Sequence, residues 1–196
     1  STDPHKVLVV PYTISTLLVK EPKNLINVAT TSDLIMQEDL AFGQITPFIG
    51  SKSWMSLKVW FAFQNMGKEE IGKMIDRRCA MAKYLQEKLE QRKEYVVLND
   101  VDINSVMFMY VKDKNDIQMS VNQINEISKK IKQKMDVDGK YFLHQFSIND
   151  DSKKITNKDI KVYPLRYMSG NDNITKDDID SLLSYLDKII TDIGDE

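Results

Sequence analysis

The strongest constraint on the fold lies after Gly67, where helical and strand-like segments alternate in a fixed order. Apolar side chains recur every three or four positions in three segments, which predicts amphipathic helices over residues 69–93, 117–135 and 175–190. Runs of β-branched and aromatic residues predict strands at residues 95–98, 106–111, 141–146 and 160–167. The order helix, two strands, helix, two strands, helix predicts an α+β unit in which helices cover a small antiparallel sheet.

The stretch before Gly67 follows a different pattern. Residues 7–10 and 15–19 are short apolar runs around a turn at Pro11, which predicts two strands buried on both faces. We interpret them as the last strands of another sheet whose partners lie upstream of Ser1. A polar loop then leads to residues 53–66, which are apolar on all sides and predict a buried helix. The predicted domains are therefore residues 1–66 and residues 67–196.

Composition limits the classes of partner. The chain has 196 residues, 42% of them hydrophobic, and a formal net charge of −2. A nearly neutral chain offers no general attraction to nucleic acid or to an anionic membrane surface, and no apolar run is long enough to span a bilayer. Cys79 is the only cysteine, which excludes an internal disulfide and favours a reducing, cytoplasmic location. We predict no metal site, no nucleic-acid partner and no membrane partner.

Lys6 is the first candidate for chemistry. It stands between His5 and the apolar run at residues 7–10, so on a buried strand its amine would be desolvated and held neutral. A neutral amine is the form that Schiff-base chemistry requires. The alternative is an ordinary lysine that reaches solvent from the start of a strand. The tetrapeptide alone does not decide between them.

Several motifs in order resemble the group II pyridoxal-phosphate-dependent amino-acid decarboxylases. They are DPHK at residues 3–6, GSKSWMSLKVWFAFQNMG at 50–67, MIDRRCAMAKYLQEKL at 74–89 and PLRYMSGNDNITKDDID at 164–180. The resemblance covers nearly the whole chain. It implies an α/β protein with an α+β small domain, in fold type I of the pyridoxal-phosphate enzymes, the aspartate-aminotransferase type. The chain corresponds to the C-terminal portion, which is the end of the large domain and the whole small domain.

The same resemblance implies roles for individual residues. Lys6 would form the Schiff base with pyridoxal 5′-phosphate, and His5 would help to bind the phosphate. Arg166 would pair with the substrate α-carboxylate, a group that its planar fork suits; the alternative is a surface arginine on an edge strand. Gly50 and Ser51 match a turn that lies close to the cofactor phosphate of the neighbouring subunit.

The implied activity is decarboxylation of an L-amino acid to an amine and carbon dioxide. The family closes a loop over its site, and residues 23–47, including Phe42, stand in that place. Its members usually carry a tyrosine in this loop that is thought to deliver a proton, whereas residues 13–53 contain none. An oxygen-consuming aldehyde synthase is therefore an alternative. The substrate amino acid is not readable from the sequence.

The second departure from the family is the missing upstream half, which carries most of the cofactor-binding residues. The chain begins in mid-pattern and without methionine, which suggests a processed product, a split subunit or part of a longer chain. We expect the upstream half as a partner, in a homodimer or a two-chain oligomer. The alternative that is not an enzyme is a non-catalytic structural or regulatory subunit. Trp54, Trp60, Phe61 and Phe63 are expected in the core or in a subunit interface.

Overall fold

The computed structural model describes residues 1–21, 23–24 and 53–194. Its contacts divide the chain into two compact units, residues 1–71 and residues 72–196. The division predicted from the sequence at residues 66 and 67 falls a few positions earlier, at the glycine where the backbone leaves helical geometry.

The helices and strands are numbered in chain order. The helices are α1 (Pro4–Val7), α2 (Ser56–Glu90), α3 (Val121–Asp138) and α4 (Lys176–Gly194). The strands are β1 (Tyr95–Val97), β2 (Ser105–Tyr110), β3 (His144–Gln145), β4 (Ile148–Asn149), β5 (Lys161–Val162) and β6 (Leu165–Met168).

The first unit is built around the short helix α1. Pro4 starts α1, where its missing N–H needs no acceptor, and Asp3 precedes it with an extended backbone. An isolated antiparallel bridge joins Thr2 to Thr16, with N···O distances of 2.8 and 2.7 Å. Lys58 of α2 donates to the carbonyl oxygen of Tyr12 at 2.6 Å, so the turn after α1 is tied to the first part of α2.

The strands predicted at residues 7–10 and 15–19 are wrong. Val7 ends α1 instead, and among the described residues the remainder of both runs forms no ladder apart from the Thr2–Thr16 bridge. The physical reason is that β-branched composition identifies residues able to form a strand, but a strand also needs a hydrogen-bonding neighbour. Pro4 and Asp3 supply a local alternative by starting a helical turn.

The helix predicted at residues 53–66 is present, but its aromatic side chains are exposed and not buried as predicted. Trp54 is 76% exposed and Trp60 54%, and Phe61 and Phe63 are exposed as well. The expectation that these aromatic side chains lie in a core is therefore wrong for the described chain, and the interface expectation stays a prediction. α2 continues through Gly67, which has non-helical dihedral angles with φ 73° and ψ 164°. A positive φ of this size suits glycine, since it lacks a Cβ.

The second unit is organised by an antiparallel sheet of order β1-β2-β6-β3. Its long central strand β2 alternates between two cores, as a strand covered on both faces does. Val106 and Phe108 face the larger core with residues of α2, α3 and α4. Met109 faces the smaller core, with Met107 packed against it. The helices and the paired strands predicted after Gly67 are present in the predicted order.

Two details of the second unit differ from the sequence-based prediction. The run at residues 160–167 forms two strands, β5 and β6, with Tyr163 and Pro164 between them. β5 pairs with β4, a strand that the sequence did not indicate, in a separate two-stranded sheet. Proline has no N–H to donate to a ladder, so the run changes sheets at Pro164.

Candidate active site

Lys6 lies in the last turn of α1 and its amine is accessible. The side chain is 64% exposed, and Nζ donates to Asp3 Oδ2 at 2.6 Å. This hydrogen bond, followed by the attraction of the Asp3 charge, raises the pKa of Lys6 above its ordinary value. The sequence-based expectation of a desolvated, neutral amine on a strand is therefore wrong for the described chain, because α1 brings a carboxylate to the lysine three residues later.

Asp3 is a functional candidate that sequence reasoning missed. Its carboxylate accepts from Lys6 through Oδ2 and from Ser15 Oγ through Oδ1, at 2.5 Å. The hydrogen bond from Lys6 and then the one from Ser15 lower the pKa of Asp3. The available signal was the spacing: Asp and Lys three positions apart with proline after the Asp are typical of the first turn of a helix.

His5 is held by contacts on one side of its ring. Nδ1 lies 2.7 Å from the carbonyl oxygen of Ile14, and the ring centroid lies 4.6 Å from that of Tyr12. Because a carbonyl only accepts, Nδ1 carries the proton, and a neutral ring then leaves Nε2 as an acceptor. His5 can donate from Nε2 to a phosphate oxygen only when the imidazole is protonated.

Arg166 lies on β6 in the second unit, between β2 and β3. Its Nε donates to Ser105 Oγ at 2.9 Å, and its guanidinium carbon lies 5.7 Å from the centre of the Phe146 ring. Within the described part of the chain, no carboxylate lies at ion-pair distance from Arg166. The three other arginines of the chain each pair with an aspartate, Arg77 and Arg78 with Asp172 and Arg92 with Asp187.

An unpaired, half-buried guanidinium is the arrangement expected of an anion-binding residue. Removing part of the hydration of a charge is unfavourable unless an opposite charge compensates for it. Ser105 and Phe146 are not anions, so among the described residues the Arg166 guanidinium has no negatively charged partner and is available to bind an anion. Of the predicted site residues, His5 and Lys6 are adjacent on α1 in the first unit, and Arg166 belongs to the second.

Some predicted site residues have no described environment. Gly50, Ser51 and Phe42 lie outside the described residues, so their roles stay predictions. His144 lies on β3, opposite Arg166 of β6, and its side chain is exposed. Over residues 1–21, 23–24 and 53–194, the side chains form no cluster of three or more metal-ligating residues.

Comparison with known proteins gives a consistent result. The family model described as the pyridoxal-dependent decarboxylase conserved domain matches residues 1–111. The chain is 26% identical over 136 residues to an aromatic-L-amino-acid decarboxylase of Bacillus atrophaeus, covering 66% of this chain and 28% of that protein. It is 24% identical over 117 residues to an acidic amino acid decarboxylase of Mus musculus, covering 56% of this chain and 21% of that protein.

The fold agrees with these relatives. The crystal structure of mouse CSAD in its apo form superposes with a TM-score of 0.75 at 19% identity, covering 95% of this chain and 38% of that chain. The similarity confirms the predicted fold class. The chain spans less than a third of the length of the two curated relatives described above.

Proposed function

Because the chain belongs to the pyridoxal-dependent decarboxylase family, we propose that it is the lysine-bearing part of an enzyme that decarboxylates an L-amino acid to an amine and carbon dioxide. The family's cofactor is pyridoxal phosphate. In this proposal the chain supplies Lys6, His5 and the small domain, and an upstream half supplies the remaining cofactor contacts. The carrying observation is the accessible Lys6 amine, within the segment that the family model matches.

The described residues fit the cofactor's functional groups. Lys6 presents an exposed amine to attach to the cofactor aldehyde, and the Asp3 carboxylate at 2.6 Å holds that amine in place until it has lost its proton to solvent. His5, when protonated, offers Nε2 to a phosphate oxygen. When bound, pyridoxal phosphate supplies an electron-accepting ring that stabilises the charge left on the α-carbon as carbon dioxide departs.

Arg166 has the role of binding the substrate carboxylate. A guanidinium without a carboxylate partner can hold the α-carboxylate through two charge-assisted hydrogen bonds, and this orients the bond that breaks. A proton from solvent or from an acid then replaces carbon dioxide on the α-carbon. The proposal also includes the roles that the family resemblance implies for Gly50 and Ser51, which would contact the cofactor phosphate of a neighbouring subunit, and for Phe42, which would belong to the loop that closes over the site.

The lack of tyrosine in residues 13–53 favours a second candidate within the same family, an aldehyde synthase. Without a proton donor the α-carbon can react with oxygen. The balanced reaction then consumes one amino acid, one O₂ and one water, and releases aldehyde, carbon dioxide, ammonia and hydrogen peroxide. Oxygen uptake and peroxide formation distinguish this outcome, because simple decarboxylation consumes neither oxygen nor water.

The assembly belongs to the proposal. We expect a homodimer or a two-chain oligomer in the cytoplasm that contains the upstream half, with a small-molecule amino acid as ligand and no nucleic acid or membrane as partner. Over the described residues, no helix combines the length and apolar character that crossing a bilayer requires. Native mass spectrometry of the purified assembly tests its composition.

The deciding experiment uses the native assembly. Borohydride reduction followed by peptide mass spectrometry is expected to find a pyridoxyl group on Lys6, and Lys6→Arg should abolish both this label and carbon dioxide release. The matched control is Lys20→Arg, an exposed lysine in the same unit, which should leave both unchanged. An intact assembly with unmodified Lys6 would contradict the enzymatic proposal and favour a structural or regulatory subunit.

A further inference from the structure

The hydroxyl of Ser105 limits how Arg166 can bind an anion. Ser105 lies at the start of β2, and the β2–β6 register places Met107 opposite Arg166. Ser105 is two residues from Met107, so it lies on the same face of the sheet and diagonally next to Arg166. Its Oγ accepts from Arg166 Nε at 2.9 Å, and Ser105 is only 6% exposed.

The backbone around Ser105 is fixed by two asparagine side chains. Asn99 donates to the carbonyl oxygen of Ser105 at 3.1 Å and accepts from the N–H of Met107 at 2.7 Å. Asn104 donates from its side chain to the carbonyl oxygen of Ser169 at 2.7 Å, and its own carbonyl accepts from the N–H of Ser169. These bonds hold the start of β2 against β1 and β6, so the hydroxyl of Ser105 has a defined position.

The remaining donors of Arg166 are its terminal nitrogens. A guanidinium can grip a carboxylate side-on, through Nε and one terminal nitrogen, or end-on, through both terminal nitrogens. Ser105 occupies Nε. Within the described part of the chain, Nη1 and Nη2 donate no hydrogen bond, and the Phe146 ring supports the guanidinium through a cation–π contact.

We propose that Ser105 is a positioning residue that occupies Nε of Arg166 and thereby commits the guanidinium to bind the substrate α-carboxylate end-on. The proposal rests on the proposed function, in which Arg166 binds that carboxylate. Ser105 does not touch the substrate in this arrangement. It lowers the number of orientations of the guanidinium and so fixes where the carboxylate, and the bond to the α-carbon, must lie.

The test compares variants of the complete, cofactor-loaded assembly. Ser105→Ala is expected to raise KM for the amino acid about tenfold, with a smaller change in kcat, because it weakens carboxylate binding. Ser105→Thr keeps a hydroxyl and should restore most of the affinity. Ser128→Ala is the matched control, since Ser128 is also buried and hydrogen-bonded, but its hydroxyl donates to the carbonyl oxygen of Tyr163 and accepts from Gln145 Nε2, not from Arg166.

Inhibition by the amine product separates positioning from structural damage. The amine lacks the carboxylate, so its inhibition constant should not change in Ser105→Ala. A rise in this constant equal to the rise in KM would overturn the positioning role, as would an unchanged KM.

A double-mutant cycle separates this inference from the proposed function. Arg166→Lys alone should raise KM strongly, and adding Ser105→Ala to it should have little further effect, because the Nε that Ser105 binds is gone. An unchanged KM in Arg166→Lys would refute the carboxylate-binding role of Arg166, and the present proposal with it. A raised KM in Arg166→Lys together with full additivity would refute the Ser105 proposal alone.

Discussion

At the residue scale, the ion pair between Asp3 and Lys6 raises the pKa of the lysine, and a single substitution tests this effect. Because the hydrogen bond to Asp3 and its negative charge raise the pKa of Lys6, Asp3→Asn should lower that pKa towards its ordinary value. More of the amine is then neutral at a given pH, so Lys6 should react faster with an acylating reagent between about pH 8 and pH 10. Peptide mass spectrometry of partly labelled protein measures the rate at each pH.

The chain contains a matched control for the Asp3 prediction. Lys129 pairs with Glu126 at the same spacing of three residues, and a hydrogen bond to Glu126 raises its pKa in the same way. Its labelling profile should be the same with and without Asp3. A Lys6 profile that Asp3→Asn does not move would show that the ion pair does not set the reactivity of this amine.

The direction of the Lys6 pKa shift determines how the Asp3–Lys6 pair changes the free energy of unfolding with pH. A raised pKa in the folded state means that the pair contributes to stability below the pKa of the unfolded chain, about 10.4, and loses that contribution as the pH rises through the folded pKa. The side chain is well exposed, so screening by water keeps this contribution small. The pair therefore matters for reactivity more than for folding.

At the level of elements, the turn between β4 and β5 depends on Asp150. Its carboxylate accepts from the backbone N–H groups of Ile155 and Thr156 at 2.6 and 2.9 Å and from Ser152 Oγ at 2.8 Å. Burial of the carboxylate acts to raise its pKa, but the hydrogen bonds, with those from Thr156 and Ile155 foremost, outweigh it and lower the pKa. One carboxylate thus accepts hydrogen bonds from several donors of a turn that has little regular secondary structure.

Asp150→Asn should destabilise the second unit by about 1–3 kcal/mol at neutral pH, because one acceptor oxygen and the charge are lost. The lowered pKa means that the stabilising contribution is present above the unfolded pKa, about 3.9, and disappears as the pH falls through the folded value. Urea unfolding at several pH values should show the difference between wild type and variant shrinking below about pH 4. The control is Asp151→Asn, an exposed neighbour, and an equal effect there would contradict the assignment.

Sequence patterns predicted the elements whose partners are close in the chain. The apolar spacing located α3 and α4 because each helix shows its buried face in its own residues, such as Ile131 and Leu186. Paired runs likewise located β1 and β2. The change of sheet at Pro164 and the short pairing of β4 with β5 depend on which strands become hydrogen-bonding neighbours. The local sequence does not indicate those neighbours, so neither feature was predicted.

The same distinction applies to the candidate site. Residue type and motif order pointed to Lys6, His5 and Arg166, since these side chains are of the types that the proposed chemistry requires. The contacts of Asp3 and Ser105 can be recognised only in the three-dimensional structure. The α1 turn brings Asp3 to Lys6, and the β2–β6 register brings Ser105 to Arg166. The expected burial of Lys6 was wrong because it assumed a strand where Pro4 begins a helix.

At the scale of the whole molecule, the two units differ in how much apolar surface they bury. Among the described residues of the first unit, Val10 and Ile71 are the buried hydrophobic side chains besides Pro4. The second unit has a large core drawn from its sheet and from α2, α3 and α4. Since apolar burial is the dominant favourable contribution to folding, the first unit should be the less stable of the two.

The position of the tryptophans makes this difference measurable. Trp54 and Trp60 are the only tryptophans in the chain, and both belong to the first unit. Trp60, which is only partly exposed and contacts the Phe61 ring, is the tryptophan whose emission should change on unfolding. We expect this change at a lower urea concentration than the loss of far-UV circular dichroism, because most of the regular structure belongs to the second unit. Replacing both tryptophans by phenylalanine and introducing Tyr141→Trp moves the probe to the second unit, since Tyr141 packs against the large core. The emission of the Tyr141→Trp variant should follow the circular dichroism. If instead the tryptophan transitions of the wild type and of this variant coincide, the two units unfold together, and the difference in apolar burial does not determine the order of unfolding.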